Sequence, residues 1–208
     1  MSLTQAALTA LFLQCAPDVS PVTLNALVGV ESDGNPYVVA NVTDGTSHRF
    51  DSKQLAIDFL NKLSSEGKTY SAGLMQIYSG NFKGYSINNE SVFDNCKNIK
   101  TGSLILKDCF LRAVSESNDV QEAIRKAFSC YYSNNFTRGF KKEKDGKSYV
   151  QRIELKAEKQ NMVVPAIQLN EKNKNAEVDK TNEHLNKEAV IGVKNKDSSD
   201  SWDIFGDF

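Results

Sequence analysis

Residues 20–36 read SPVTLNALVGVESDGNP, and the reading of this stretch decides the fold. Ser20 is a preferred helix N-cap, and Pro21 sits at the first helical position, where its missing N–H costs nothing. Asp33-Gly34 stops the helix, and Asn35-Pro36 marks the turn beyond it. Glu31 follows the apolar run ALVGV at 26–30 and falls in the last helical turn. There the helix macrodipole presents its negative end, which disfavours a carboxylate. The apolar neighbours disfavour the charged form as well. Both effects push the pKa upward, and a carboxyl that keeps its proton near neutral pH can donate it to a leaving group. Taken alone, Glu31 reads more simply as a surface glutamate at a helix end.

Outward from this helix the pattern repeats in kind. An apolar first helix covers about 2–14. YVVANVTDGTSHRF at 37–50 reads as a hairpin around Asp44-Gly45. DSKQLAIDFLNKLSSEG at 51–67 reads as a helix capped by Asp51 and stopped by Gly67. NCKNIKTGSLILKDCFLRAV at 95–114 is another helix, and DVQEAIRKAFSCYY at 119–132 opens with a capping box of Asp119 and Glu122. The expected class is α+β, mainly α with a small β-hairpin. Phe, Tyr and Trp crowd into 1–149 and are missing from 150–201; Trp202, Phe205 and Phe208 stand at the end. From about Asn170 the chain is Lys, Asn, Glu and Asp with little periodicity, too polar to offset its ordering entropy. The expected organisation is a domain at 1–160 and a polar, disordered tail at 161–208.

The 208 residues are 40% hydrophobic with a net charge of -1, so no global field recruits nucleic acid or an anionic membrane. No apolar run approaches the ~20 residues of a transmembrane helix. ALTALFL at 7–13 has the length of a signal core, but no Lys or Arg precedes it and no small-x-small site follows. LFLQC is a poor lipoprotein signal because Gln14 stands where a small residue is expected, so an export signal is not evident. Cys15, Cys96, Cys109 and Cys130 form no CxxC pair and have only His48 and His184 to join them, which argues against a metal site. They read either as buried thiols or as disulfides. Cys96 and Cys109 share one helix, where thirteen steps span ~20 Å, too far to bridge. That leaves Cys15 paired with Cys96 or with Cys109, and Cys130 with the other.

Two further stretches carry chemistry. In SAGLMQIYSGNF (71–82) the small residues Ser71, Ala72 and Gly73 permit a close backbone approach, and Met75 and Gln76 offer a pliable apolar surface and an amide. AFSCYYSNNF (127–136) ends a helix with Tyr131 and Tyr132, which diverge by ~100° and cannot share a face.

Together, a helix ending in Glu31-Ser32, the run Gly73-Leu74-Met75-Gln76-Ile77, the spacing Asn98, Gly102, Leu106, and Ala127 with Tyr131 resemble the soluble lytic transglycosylase family. The hairpin, the helix at 51–65 and FTRGF resemble the subgroup that accompanies type IV secretion and conjugation machines. The resemblance spans roughly 3–145. It implies a lysozyme-like domain that cleaves bacterial peptidoglycan outside the cytoplasm, in the periplasm, with no cofactor or metal. Glu31 would be the catalytic acid, with Ser32, Gly73, Met75, Gln76 and Tyr131 binding substrate or supporting the acid. One departure stands out: the fourth motif usually reads Tyr-Asn-x-Gly, and here it is Tyr131-Tyr132-Ser133-Asn134.

A two-carboxylate mechanism needs a partner at ~5–9.5 Å. Asp33 points away on the helix, and Asp44 and Asp51 flank the hairpin. The resemblance implies a single acid instead, which protonates the bond between N-acetylmuramic acid and N-acetylglucosamine and then helps close a 1,6-anhydro ring. The rivals are a lysozyme-type hydrolase with Asp44 as second carboxylate, a glycan-binding assembly module, and a helical adaptor. In the tail, Trp202, Ile204, Phe205 and Phe208 lie in an acidic segment and suit docking to a secretion-apparatus protein.

Overall fold

A computed structural model describes residues 1–117 and 119–159. The expectations for 161–208, including Trp202, Phe205 and Phe208, lie outside the described residues. The elements are α1 (Gln5–Cys15), α2 (Pro21–Glu31), β1 (Val38–Asn41), β2 (Thr46–Arg49), α3 (Lys53–Ser65), β3 (Tyr70–Ala72), β4 (Ile77–Tyr78), α4 (Asn95–Val114), α5 (Val120–Ser133) and α6 (Tyr149–Glu158). The architecture is α+β and mainly helical.

Local chemistry sets the boundaries. The Ser20 hydroxyl accepts from the Val22 N–H above Pro21, as the sequence indicates. α1 begins later than expected because the Thr4 hydroxyl caps it, accepting from the Ala7 N–H. α3 is capped by Ser52 and not Asp51; the Ser52 hydroxyl accepts from the Leu55 N–H. At α5, Asp119 caps the N–H groups of Gln121 and Glu122. The capping box does not close, because the Glu122 carboxylate takes the Ser117 hydroxyl, and the Asp119 N–H goes to Ser117 Oγ.

The hairpin is half of a larger sheet. Four antiparallel strands run in the order β2-β1-β3-β4. Val39 pairs with His48 on one side and Ala72 on the other, and Ala72 pairs in turn with Ile77. α3 intervenes between β2 and β3, so the β1–β3 pairing joins segments far apart in sequence.

The core gathers Phe12, Leu24, Leu27, Leu60, Ile99, Leu106, Phe110, Phe128 and Tyr149, all fully buried. Each such side chain contributes about 1.5–3 kcal/mol by leaving water. α4 packs along α5, and α2 packs along α6. Disulfides lock two further junctions: Cys15–Cys96 clips the end of α1 to the start of α4, and Cys109–Cys130 joins α4 to α5, with Cα–Cα separations of 5.3 and 5.7 Å. The four cysteines are therefore not buried thiols. Cys109–Cys130 closes a loop of sequence separation 21, for which loop-closure entropy gives about 3 kcal/mol. Replacing both Cys109 and Cys130 by Ser is expected to lower the urea unfolding free energy by that amount; free thiols titratable in the native, unreduced protein would contradict the bond.

Candidate active site

Glu31 ends α2 with its side chain turned inward and only 7% of the residue exposed. Its Oε1 accepts a hydrogen bond from the hydroxyl of Tyr149, the first residue of α6. Burial strips the carboxylate of solvent and raises its pKa from 4.5 to about 8; the Tyr149 bond favours the ionised form and offsets part of this. The phenols of Tyr149 and Tyr131 are pushed well above their ordinary value, first by burial and then by the charge of Glu31. The carboxyl thus lies among three elements, α2, α5 and α6, in a site that holds protons.

Ser32 fastens the acid's helix end to the rest of the site. Its hydroxyl donates to the Leu74 carbonyl at 2.8 Å, and its carbonyl accepts from Arg49 Nη1 of β2 at 3.0 Å. Leu74 belongs to the turn between β3 and β4, which has an unusual backbone. Gly73 has φ +86° and Gln76 has φ +46°. A Cβ on Gly73 would collide with the Asn98 side-chain amide, so both conformation and space require glycine. Asn98 of α4 holds this turn with three bonds: Oδ1 accepts from the Met75 N–H, and Nδ2 donates to the carbonyls of Ala72 and Val92. One turn along α4, Gly102 leaves room for Met75; a Cβ there would stand 2.5 Å from Met75 Sδ. The second and third motifs are therefore one packed unit.

Met75 contributes differently from the sequence expectation. Its side chain is fully buried against α4 and lines no open groove. Its backbone faces the site, where the carbonyl accepts from the Tyr131 hydroxyl at 2.6 Å. Tyr131 is thus near enough to feel the charge of Glu31 but spends its proton on Met75; the donor to the acid is Tyr149. Gln76 is 8% exposed. Its amide nitrogen donates to the carbonyls of Val38 and Gly73, and its Oε1 is buried with no protein partner.

The fourth motif ends in a left-handed cap. Asn134 caps α5 in the left-handed conformation, φ +51°, at the position where the family pattern has glycine. Asn is among the side chains that tolerate this region best. Tyr132 stands where the pattern has Asn, and its ring stacks on Tyr149. Just beyond, Gly139 packs on Ser129, where a Cβ would lie 2.6 Å from the Ser129 Cα.

Asp44 and Asp33 are engaged elsewhere. Asp44 is held by Lys68 at 2.7 Å and by Asn41 at 2.8 Å, and the Lys68 bond lowers its pKa. Asp33 pairs with Lys156 at 3.1 Å. A groove of about 390 Å³ runs between α2 and α6, bordered by Gly29, Val30, Lys147 and Leu155; the carboxyl of Glu31 is not part of its wall.

Sequence reasoning missed Tyr149 and the whole of α6. The signal was present: Ser148 and Gln151 form a capping box, and Tyr149, Val150, Ile153 and Ala157 make one buried face. What the sequence does not display is that this face meets Glu31 across 118 positions.

This arrangement defines a carboxyl whose burial favours the protonated form and whose orientation is set by the Tyr149 hydroxyl. Residues 10–153 match the model of the Transglycosylase SLT domain, and the chain belongs to that family. It is similar to the type IV secretion system protein virB1 of Brucella abortus (strain 2308) and of Brucella suis biovar 1, each 41% identical over 158 residues, 74% of this chain and 66% of theirs. It is also similar to protein virB1 of Agrobacterium fabrum (strain C58), 28% identical over 145 residues, 70% of this chain and 57% of that one. The chain thus spans somewhat less than two thirds of the length of these relatives. No solved structure matches it. Among the described residues, no helix is long and apolar enough to cross a membrane.

Proposed function

We propose that this chain is a peptidoglycan lytic transglycosylase that opens the cell wall locally for a type IV secretion or conjugation apparatus. The observation that carries the reading is Glu31, a carboxyl buried at the end of α2 against the Tyr149 hydroxyl, where desolvation favours the protonated form. In the first step Glu31 gives that proton to the glycosidic oxygen between N-acetylmuramic acid and N-acetylglucosamine, and the bond to the muramoyl C1 breaks. The substrate's N-acetyl oxygen stabilises the cationic C1. The Glu31 carboxylate then takes the proton of the muramoyl C6 hydroxyl, whose oxygen attacks C1 and closes the 1,6-anhydro ring. Acid and base are one group, restored at the end, and no water is consumed.

The supporting residues follow from their contacts. Tyr149 orients the carboxyl and stabilises it while ionised. Ser32, Gly73 and Asn98 hold the turn, Tyr131 fixes the Met75 carbonyl, and Gln76 braces the turn through the carbonyls of Val38 and Gly73. Asp44 is ion-paired with Lys68, which weighs against its use as the second carboxylate of a hydrolase. Mass spectrometry of digested peptidoglycan tests the reading: anhydro-muropeptides support it, and products heavier by one water would replace it with hydrolysis.

Two disulfides suit an oxidising compartment, which supports a periplasmic location. The similarity to virB1 proteins supports the secretion context. In this reading the acidic segment with Trp202, Phe205 and Phe208 recruits the enzyme to the apparatus. Deleting residues 198–208 is expected to reduce recruitment in cells while leaving cleavage by the purified protein unchanged; lost cleavage in the purified protein would contradict that division.

A further inference from the structure

Tyr132 replaces the Asn of the family pattern, and its surroundings give that replacement a use. Its ring lies on the ring of Tyr149 with centroids 4.5 Å apart and planes 21° from parallel. Its hydroxyl donates to Glu143 Oε1 at 3.2 Å. The other oxygen of Glu143 is ion-paired with Arg152 of α6, which also reaches Asp145 at 3.2 Å. Glu143 belongs to a tight loop closed by its own N–H donating to the Lys147 carbonyl and by the pairing of Lys142 with Ser148. Ser148 then caps α6, so the loop delivers Tyr149 directly.

α5, the loop and α6 are therefore tied together at one point, the face of Tyr149 that Tyr132 covers. Turning the Tyr149 ring about its long axis leaves the hydroxyl oxygen in place but swings the O–H, which prefers the ring plane, out of line with Glu31. We propose that Tyr132, braced by Glu143 and Arg152, is a positioning residue: its ring fixes the plane of Tyr149, and through it the donor that holds the Glu31 carboxyl in one orientation. This rests on the reading of Glu31 as the acid. The groups that face Glu31 are Tyr149 from α6 and Tyr131 from α5, while Tyr132, Glu143 and Arg152 act one contact further out. The stack contributes more than the hydroxyl, because the flat contact constrains the ring itself.

The test compares Tyr132→Leu, Tyr132→Phe and Glu31→Gln in the full chain. Two measurements are made: initial cleavage rates over a series of glycan concentrations, and the Glu31 titration midpoint by carbon-13 NMR. Misplacement on the scale of an ångström costs up to ~100-fold in rate, so partial loosening in Tyr132→Leu is expected to lower kcat by about tenfold with KM unchanged. The Glu31 midpoint should rise in the same variant, because the Tyr149 bond favours the ionised form. Tyr132→Phe keeps the stack and should recover most of both. Wild-type kcat and midpoint in Tyr132→Leu would overturn the proposal, as would equal losses in Leu and Phe that track melting temperature alone. If wild type and Glu31→Gln release the same products or none, the enzyme reading fails. The midpoint shift then decides the brace by itself, supporting it if present and overturning it if absent.

Discussion

Replacing Glu31 by Gln is expected to lower the rate of peptidoglycan cleavage by ~10²–10⁴-fold, the contribution general acid–base groups typically make. The substitution is close to isosteric, and the Gln carbonyl still accepts from the Tyr149 hydroxyl, so the packing of α2 on α6 is retained. What is lost is the proton. The same group serves both steps of the proposed reaction, so neither bond breaking nor ring closure has a substitute. Asp44 and Asp33 are committed to Lys68 and Lys156 and do not take over. Initial rates on purified peptidoglycan check the expectation. A variant that folds like wild type and retains more than about a tenth of its activity would exclude Glu31 as the acid, since that loss falls below the lower bound for such groups.

The second large effect is on stability. The folded-state pKa of Glu31, about 8, lies above its ordinary value of 4.5. Between those two values the folded protein holds a proton that the unfolded chain releases. Stability therefore falls as pH rises through this window, and below it the group is neutral in both states and contributes no slope. The gap, at about 1.4 kcal/mol per pH unit, comes to about 5 kcal/mol lost by the time the carboxyl is ionised in the fold. Other groups titrate too, so the useful quantity is the difference between wild type and Glu31→Gln. Urea unfolding at pH 4.5 and at pH 8 should show the variant gaining about 4 kcal/mol relative to wild type at the higher pH, since the group is half titrated at each end of that interval. Cleavage should decline above pH 8 as the acid loses its proton. Parallel pH–stability curves for the two proteins would contradict the burial of an ionisable group at this position.

Much of this fold is legible in local signals. Ser20-Pro21 starts α2, Asp44-Gly45 turns the hairpin, and Gly67, with φ +69°, ends α3. Each depends on a few adjacent residues and on backbone preferences that distant contacts do not override. The choice between Asp51 and Ser52 as cap went wrong because both are good caps one position apart, and side-chain reach decides. Non-local features were harder. Spacing excluded a Cys96–Cys109 bridge, but only the packing of α1 on the start of α4 and of α5 on α4 selects Cys15–Cys96 with Cys109–Cys130. The pairing of β1 with β3 skips α3, so the sheet looked like a hairpin. The burial of Met75 is not legible locally, because sequence does not show that Gly102 opens a hole for it.

The site follows the same division. The apolar neighbours of Glu31 indicate the direction of its pKa, although the residue alone reads as a surface glutamate at a helix end. The largest cause is burial, and that burial is completed by α6, which the sequence reading left out. Tyr149 carries no motif that points to Glu31; only the packing of α6 on α2 joins them. The fourth motif departs from the family pattern at Tyr132 and Asn134. In the fold, Asn134 keeps the left-handed cap and Tyr132 fills the space over Tyr149.

The central claim is that Glu31 stays protonated in the folded protein at neutral pH. Carbon-13 NMR titration of the Glu31 carboxyl in the native chain, assigned by its loss in Glu31→Gln, measures this directly. The account predicts a midpoint near 8. A midpoint near the ordinary 4.5 would contradict it.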